Sequence, residues 1–345
     1  MSRITFAREF LGVIFEVATQ KLSLRGVPEL PDIGASAEGL TIIVTGPTGG
    51  IGQQSAAELA RRGAKVILAC RNVPKGEAYK KELEEQAAAA GRPAPKLEVM
   101  ELDVSSLASV RSFAEAWLAR KEPLHVLVNN AGILAMAAPY KLTEEGFENH
   151  LVTNYLGHYL LTLLLLPSLE QATNQARAGW GGAGHPARVV SVASKLHYMG
   201  AVRKDDLNLQ KGYTSLDAYC QSKLLQVLFA GELERRARGR VRSLALHPGE
   251  VLTNVVNTLP SPLQRLYRQV MTFPLLTPDQ GARSTVHCAT APQVEEEPDK
   301  VYYHSSCVPI APSALALDRD LARWVWDWSA EAVALSSDQD LAPAP

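Results

Sequence analysis

The strongest constraint on this chain is an alternation of short, largely apolar segments with longer stretches of helical spacing. Residues 41–45, 65–70, 97–102, 124–129, 187–193 and 241–247 read as strands, with helices at 50–62, 74–90, 106–120, 143–168 and 215–238. Strands apolar on both faces must be covered on both sides, and crossover helices do this, so the pattern specifies an α/β fold on a parallel sheet. Further on, 260–290 is mixed apolar and helical, 301–304 offers a last strand, and 318–335 is a Trp-rich amphipathic helix. The expected organisation is a helix and linker over 1–40, one core domain over 41–305, and a C-terminal helix with a disordered tail over 306–345. At 345 residues and 46% hydrophobic content the chain can bury such a core.

The first strand runs directly into Thr45-Gly46-Pro47-Thr48-Gly49-Gly50-Ile51-Gly52, where a helix begins. Glycines here permit a tight turn, let backbone amides approach a pyrophosphate, and set its oxygens at the positive end of the helix. Gly46, Thr48, Gly49, Gly50, Ile51 and Gly52 are therefore candidate dinucleotide contacts. Such a loop alone is weak, since steric needs also produce it; its place on the first strand of a βαβ series makes it specific. The second strand ends at Cys70 and Arg71, 25 residues after Gly46. NAD binders put an acid near this point for the ribose 2′-hydroxyl, whereas an arginine accommodates a 2′-phosphate. Arg71 thus points to NADP(H), against the plainer reading of a solvated strand-end arginine. Lys75 adds a second positive charge, and Asp103, ending the third strand, is expected near the adenine.

Tyr219 and Lys223 stand four residues apart on an expected helix, so both project from one face. A phenol is a poor proton shuttle at neutral pH, and a nearby ammonium is expected to lower its pKa. The pair alone is common on solvated helix faces, so its neighbours must decide. Ser194 ends a buried strand, Asn129 to Gly132 end another in the same layer, and Asn154 lies in the helix that follows. Parallel sheets bind ligands at the carboxyl ends of their strands, which brings these groups to one crevice with the glycine loop.

Taken together, Thr45 to Gly52, Asn129-Asn130-Ala131-Gly132, Asn154, Ser194, Tyr219 with Lys223, and Pro248-Gly249 resemble the short-chain dehydrogenase/reductase family over residues 41 to 305. Cys70-Arg71-Asn72, the segment from Pro123 to Gly132, Asn154 to His158, and Thr277 to Gly281 resemble its retinol-dehydrogenase-like branch. The segment from Pro248 to Val255, with the early Pro-rich linker, is similar to the plant oxidoreductases called forever young. The resemblance implies a single Rossmann-like doubly wound sheet with strand order 3-2-1-4-5-6-7 and a substrate flap over 255–285. It also implies that Ser194 hydrogen-bonds the substrate oxygen and that Tyr219 transfers its proton. Lys223 would lower the tyrosine pKa and hold the nicotinamide ribose, and Asn154 would position a relay water. Asn130, Ala131 and Gly132 would line the adenine-ribose side, and Pro248, Gly249, Val251 and Thr253 the nicotinamide end. Glu250 departs from the pattern: it is an acid where relatives commonly carry an apolar residue.

A net charge of −1 leaves no basic excess for nucleic acid. The four cysteines and eight histidines are scattered without metal-ligand spacing, so no metal is expected. The implied partner is a small apolar carbonyl or alcohol, suggested by the apolar residues between Leu259 and Leu276. No run reaches the ~20 apolar residues of a membrane span. Phe6, Phe10, Val13, Ile14 and Val17 nevertheless share one helical face, either docked on the protein or lying on a bilayer. A cytoplasmic location with peripheral membrane contact is the expectation, and such a tether would be separable from turnover. Two other functions remain open at this stage: an epimerase or dehydratase with tightly bound NAD, and a non-catalytic dinucleotide-binding scaffold. Arg71 speaks against the first, and the presence of both Tyr219 and Lys223 against the second.

Overall fold

The structure, a computed structural model, describes residues 3–135, 138–174, 186–237, 239–251, 274–337 and 339–341. Seven parallel strands form one sheet in the order β3-β2-β1-β4-β5-β6-β7, as expected. They are β1 (Thr41–Thr45), β2 (Lys65–Cys70), β3 (Lys96–Glu101), β4 (Val126–Asn129), β5 (Ala187–Val192), β6 (Val241–Leu246) and β7 (Tyr302–Tyr303). Strands β1, β4, β5 and β6 are buried along their whole length, which is why they read as apolar on both faces.

The helices cover the two faces: α1 (Arg3–Ser23), α2 (Gly50–Arg61), α3 (Val73–Ala89), α4 (Leu107–Leu118), α5 (Gly157–Leu164), α6 (Leu166–Thr173), α7 (Ser215–Ala237), α8 (Pro278–Thr290), α9 (Gln293–Glu296) and α10 (Arg319–Ala332). One core layer gathers Trp117, Tyr155, Tyr159, Phe229 and Trp326 under α4, α5, α7 and α10. The other packs Ile42, Val44, Leu59, Val128 and Val286 under α2 and α8. The strand order reverses between β1 and β4, so the crevice beyond their carboxyl ends is the topological switch point where open α/β sheets bind ligands.

Three expectations need correction. The single helix over 143–168 is instead a Leu142–Glu148 bridge, a π-helical turn over Leu151–Leu156, and then α5 and α6. Gly146, at φ +83, turns the chain before the helix can start, and Pro167 separates α5 from α6 because it has no N–H to give to the Leu163 carbonyl. The π-helical turn carries Asn154, and its wider winding marks a functional position more often than chance would. The segment 24–40 is not a free linker either, since Leu24, Leu30, Ile33, Ala37 and Leu40 are all buried. Third, α1 is not a tether standing clear of the core, since Glu16 and Gln20 bond it to the rest of the domain. Residues 342–345, most of 255–285, and Thr253 lie outside the described residues.

Candidate active site

The glycine loop leaves β1 with Gly46 at φ +64 and enters α2 with Gly50 at φ +56, left-handed conformations that other residues rarely adopt. At Gly52 a Cβ would stand 2.2 Å from Asn130 Nδ2 and 2.5 Å from Gly46 O, so only glycine lets α2 pack this close to the end of β4. Gly49 caps α2 without any side-chain hydrogen bond. The first amides of the helix, on Gly50, Ile51 and Gly52, therefore have no capping side chain and meet the crevice at the positive end of the helix dipole. That donor set suits the pyrophosphate of a dinucleotide.

The carboxyl end of β4 is tied to this loop through Asn130. Its Nδ2 donates to Thr45 O at 2.8 Å, and its backbone N–H donates to Thr45 Oγ1 at 2.9 Å, as does that of Ala131 at 2.9 Å. Asn130 thus braces the loop through its side chain rather than presenting it to the crevice. Arg71 is 77% exposed at the end of β2, with Nη1 3.8 Å from Asp103 Oδ2. The Asp103 carboxylate also takes hydrogen bonds from the N–H and the hydroxyl of Ser105. Asn72 caps α3 by accepting from Lys75 N–H, so Arg71 and Lys75 flank the same helix start.

Deeper in the crevice the four candidate catalytic residues come together. Asn154 is completely buried and fully used: Oδ1 accepts from Ile133 N–H at 2.8 Å, and Nδ2 donates to Ile133 O and to Ser222 Oγ. A Cβ on Gly132 would lie 3.2 Å from Asn154 Oδ1 and 3.7 Å from Lys223 Nζ, so this glycine leaves room where the two converge. Lys223 Nζ donates to Val192 O at 2.9 Å and to Gln226 Oε1 at 2.8 Å, and sits 5.6 Å from the Tyr219 ring centroid. Ser194 heads a 3-10 turn, its Oγ accepting from Leu196 N–H, and it is hydrogen-bonded to Tyr219.

Electrostatics depart from expectation at the tyrosine. Burial first, then the Glu250 carboxylate, push the Tyr219 phenol above its ordinary range, and the Ser194 hydrogen bond opposes them only in part. Burial pushes Lys223 down to about 7, so the lysine is itself depleted of charge instead of lowering the phenol. Glu250 is pushed up to about 7 by burial and by the nearby Glu16 carboxylate.

Several residues that sequence reasoning passed over belong to this site. Ser222 and Gln226 hold Asn154 and Lys223, and their helical spacing from Tyr219 and Lys223 was the available signal. His158 sits between the Thr45 hydroxyl, 3.0 Å from Nε2, and Asn154 O, 3.3 Å from Nδ1, and burial pushes it down to about 4. From α1, Glu16 reaches Lys195 Nζ at 2.8 Å and lies 3.2 Å from His247 Nε2 and 3.6 Å from His304 Nε2. Burial works to raise this carboxyl, but the His304 hydrogen bond, His247 and Lys195 outweigh it and hold it at about 2. Glu16, His247 and His304 are close enough to suggest a metal site. Both imidazoles accept a backbone N–H at Nδ1, from Gly249 and from Ser306. Each neutral ring therefore carries its hydrogen on the Nε2 that faces Glu16, and offers no lone pair there.

Comparison with known proteins agrees with this geometry. The short chain dehydrogenase family profile matches residues 40–264, and the chain belongs to the short-chain dehydrogenase/reductase family, whose members bind nicotinamide dinucleotides. It is similar to Retinol dehydrogenase 11 of Homo sapiens, 38% identical over 301 residues that cover 87% of each chain. It is also similar to the SDR family member FEY of Arabidopsis thaliana, 38% identical over 345 residues, with 96% of this chain and 88% of the plant protein covered. These relatives set it in the retinol-dehydrogenase-like branch. Among solved structures it resembles an uncharacterized protein of Mycobacterium Paratuberculosis, with TM-score 0.65 and 32% identity over 89% of this chain and 97% of that one.

The buried lysine makes a test independent of substrate. Lys223 drops from 10.5 to about 7 on folding, so between those values the unfolded chain binds the extra proton and stability rises with pH. Urea unfolding of wild type and Lys223→Met from pH 7 to 10 should show wild type gaining on the variant by roughly 1.4 kcal/mol per pH unit at most. Parallel stability curves would mean that Lys223 does not titrate in this window.

Proposed function

We propose that this chain is an NADP(H)-dependent oxidoreductase interconverting an alcohol and a carbonyl on an apolar substrate. The supporting observation is the convergence of Ser194, Tyr219, Lys223 and Asn154 on the same sheet edge as the uncapped amides of α2. When bound, the nicotinamide exchanges a hydride with the substrate carbon. Gly46, Thr48 and Gly49 shape the pyrophosphate loop, and the amides of Gly50, Ile51 and Gly52 hold the pyrophosphate. Arg71, aided by Lys75, takes the 2′-phosphate, while Asp103, Ala131 and Gly132 border the adenine-ribose side. Pro248, Gly249 and Val251 border the nicotinamide end, with Thr253 beyond the described residues.

Tyr219 keeps its proton throughout the neutral range, which suits a general acid for carbonyl reduction. Ser194 Oγ accepts from Leu196 N–H and is hydrogen-bonded to Tyr219, and its hydrogen would turn from the tyrosine to the substrate oxygen when substrate is bound. Lys223, anchored on Val192 O, reaches the nicotinamide ribose, and it favours loss of the Tyr219 proton in the oxidation direction only in the fraction that carries its own proton. Asn154 holds the Ile133 backbone in place with its carboxamide, so a relay water beside Lys223 would fall to its backbone carbonyl. Similarity to proteins named as retinol dehydrogenases supports an apolar alcohol or aldehyde, and Leu275 and Leu276 are the described apolar residues of the expected flap.

The outward face of α1 supports peripheral contact with a bilayer. Leu11, Ile14, Phe15 and Leu22 are exposed on one stripe, Phe15 at 71% and Leu11 at 64%. No helix among the described residues is long and apolar enough to cross a membrane.

Three outcomes test this reading. With NADPH and retinal, Tyr219→Phe should lose ~10²–10⁴ in turnover while binding NADPH as wild type does; a variant keeping a tenth of the activity would point to another acid. Arg71→Asp should reverse the preference for NADPH over NADH in a fluorescence titration, and equal affinities before and after would remove the 2′-phosphate role. Leu11→Glu combined with Phe15→Glu should abolish co-sedimentation with phosphatidylcholine–phosphatidylserine vesicles, and wild type that stays in the supernatant would refute the bilayer contact.

A further inference from the structure

Helix α1 does more than dock. Its last full turn carries Gln20, only 1% exposed, whose carboxamide is saturated by backbone groups from the far side of the domain. Oε1 accepts from Glu250 N–H at 2.9 Å, and Nε2 donates to Glu250 O at 3.0 Å and to Pro274 O at 2.9 Å. These partners also fix which end of the amide is oxygen, because one offers a hydrogen and two offer lone pairs. A single side chain thus pairs both backbone groups of Glu250 and ties them to the chain where it returns at Pro274.

What it holds is the wall of the crevice just past β6. Gly249 adopts φ +80, and a Cβ there would stand 3.0 Å from Gln20 Oε1 and 2.5 Å from Leu276 Cδ1, so the glycine is what lets Gln20 come this close. Leu276 N–H also donates to Glu250 O, and Val251 bridges to Leu276. Val251 in turn packs where a Cβ on Gly281 would meet it at 2.6 Å and Ile51 of α2 at 3.2 Å. Glu250 is close enough for its charge to act on Tyr219. The position of residues 248–251 relative to both the glycine loop and the tyrosine therefore runs through Gln20. Without it, the Glu250 N–H would lose its partner and the Glu250 and Pro274 carbonyls one each, and such groups do not stay buried unpaired.

We propose that Gln20 is a positioning residue for the nicotinamide end of the cofactor site, so that the N-terminal helix is part of the catalytic unit. This rests on the dinucleotide reading above. It predicts an effect confined to one half of the cofactor, which general destabilisation would not produce. Gln20→Met keeps the volume and removes all three hydrogen bonds.

The probes are NADPH, which spans both halves, and 2′,5′-ADP, which occupies only the adenine half beside Arg71. Gln20→Met should weaken NADPH about ten-fold or more, the scale of losing about one hydrogen bond's worth of binding at the nicotinamide end. Its affinity for 2′,5′-ADP should match wild type, which also shows that the variant is folded. Hydrogen exchange at the Glu250 amide should accelerate in the same variant. Should the methionine variant not fold, Gln20→Glu serves: it keeps the acceptor for Glu250 N–H, loses both donors, and should show the same selective loss. Wild-type affinity for NADPH in the variants, or equal weakening of both ligands, overturns the inference. Failure of wild type itself to bind either ligand would overturn the dinucleotide reading, and this inference with it.

Discussion

The Thr45 hydroxyl is the joint on which the site hangs. It accepts the backbone N–H groups of Asn130 and Ala131, both at 2.9 Å, and lies 3.3 Å from Val128 O and 3.0 Å from His158 Nε2. A hydroxyl has two lone pairs and one hydrogen, so accepting two amides leaves one hydrogen for the carbonyl or the imidazole. His158 then carries the connection to Asn154 O. The end of β1, where the glycine loop begins, and the turn that bears Asn154 are in this way joined by one buried, neutral network. In a low-dielectric interior such a network is strong when every member is satisfied, and it keeps the two halves of the crevice in register.

The catalytic end of the crevice is held at an electrostatic cost. Lys223, Tyr219 and Glu250 are all displaced from their ordinary pKa values in the direction that burial dictates, toward their neutral forms. Lys223 is tolerated because Val192 O and Gln226 Oε1 take two of its hydrogens. Lys223 and Glu250, both brought to about 7, exchange protons near neutrality, whereas Tyr219 holds its own as a general acid must.

The N-terminal helix shows how one element serves two surfaces. Its inner face carries Glu16 and Gln20, which the core holds through Lys195, His247, His304 and the backbone of Glu250. Its outer face is a stripe of exposed leucine, isoleucine and phenylalanine. An exposed apolar position and a buried one bonded to the Glu250 backbone are therefore about one helical turn apart.

The sequence alone was enough for the parallel sheet and the glycine loop, because fully buried parallel strands and a phosphate-binding turn impose local patterns that survive without any knowledge of contacts, while the strand order followed only from the family those motifs resemble. The meeting of Ser194, Tyr219, Lys223 and Asn154 at one end of the sheet was legible for the same reason, since strand ends and helix turns are local features. Asn130 was legible as a position but not as a role, since only the fold shows its amide spent on Thr45 and Gly46. The direction of the Tyr219 shift was misread because spacing reveals a neighbouring charge but not the desolvation that outweighs it. Gln20 and Glu16 left no trace in the pattern, because a glutamine 230 residues from its partner obeys no local period. Their task was decided by tertiary structure alone, where buried backbone groups far apart in the chain had to find a hydrogen-bond partner, and α1 was the element that supplied it.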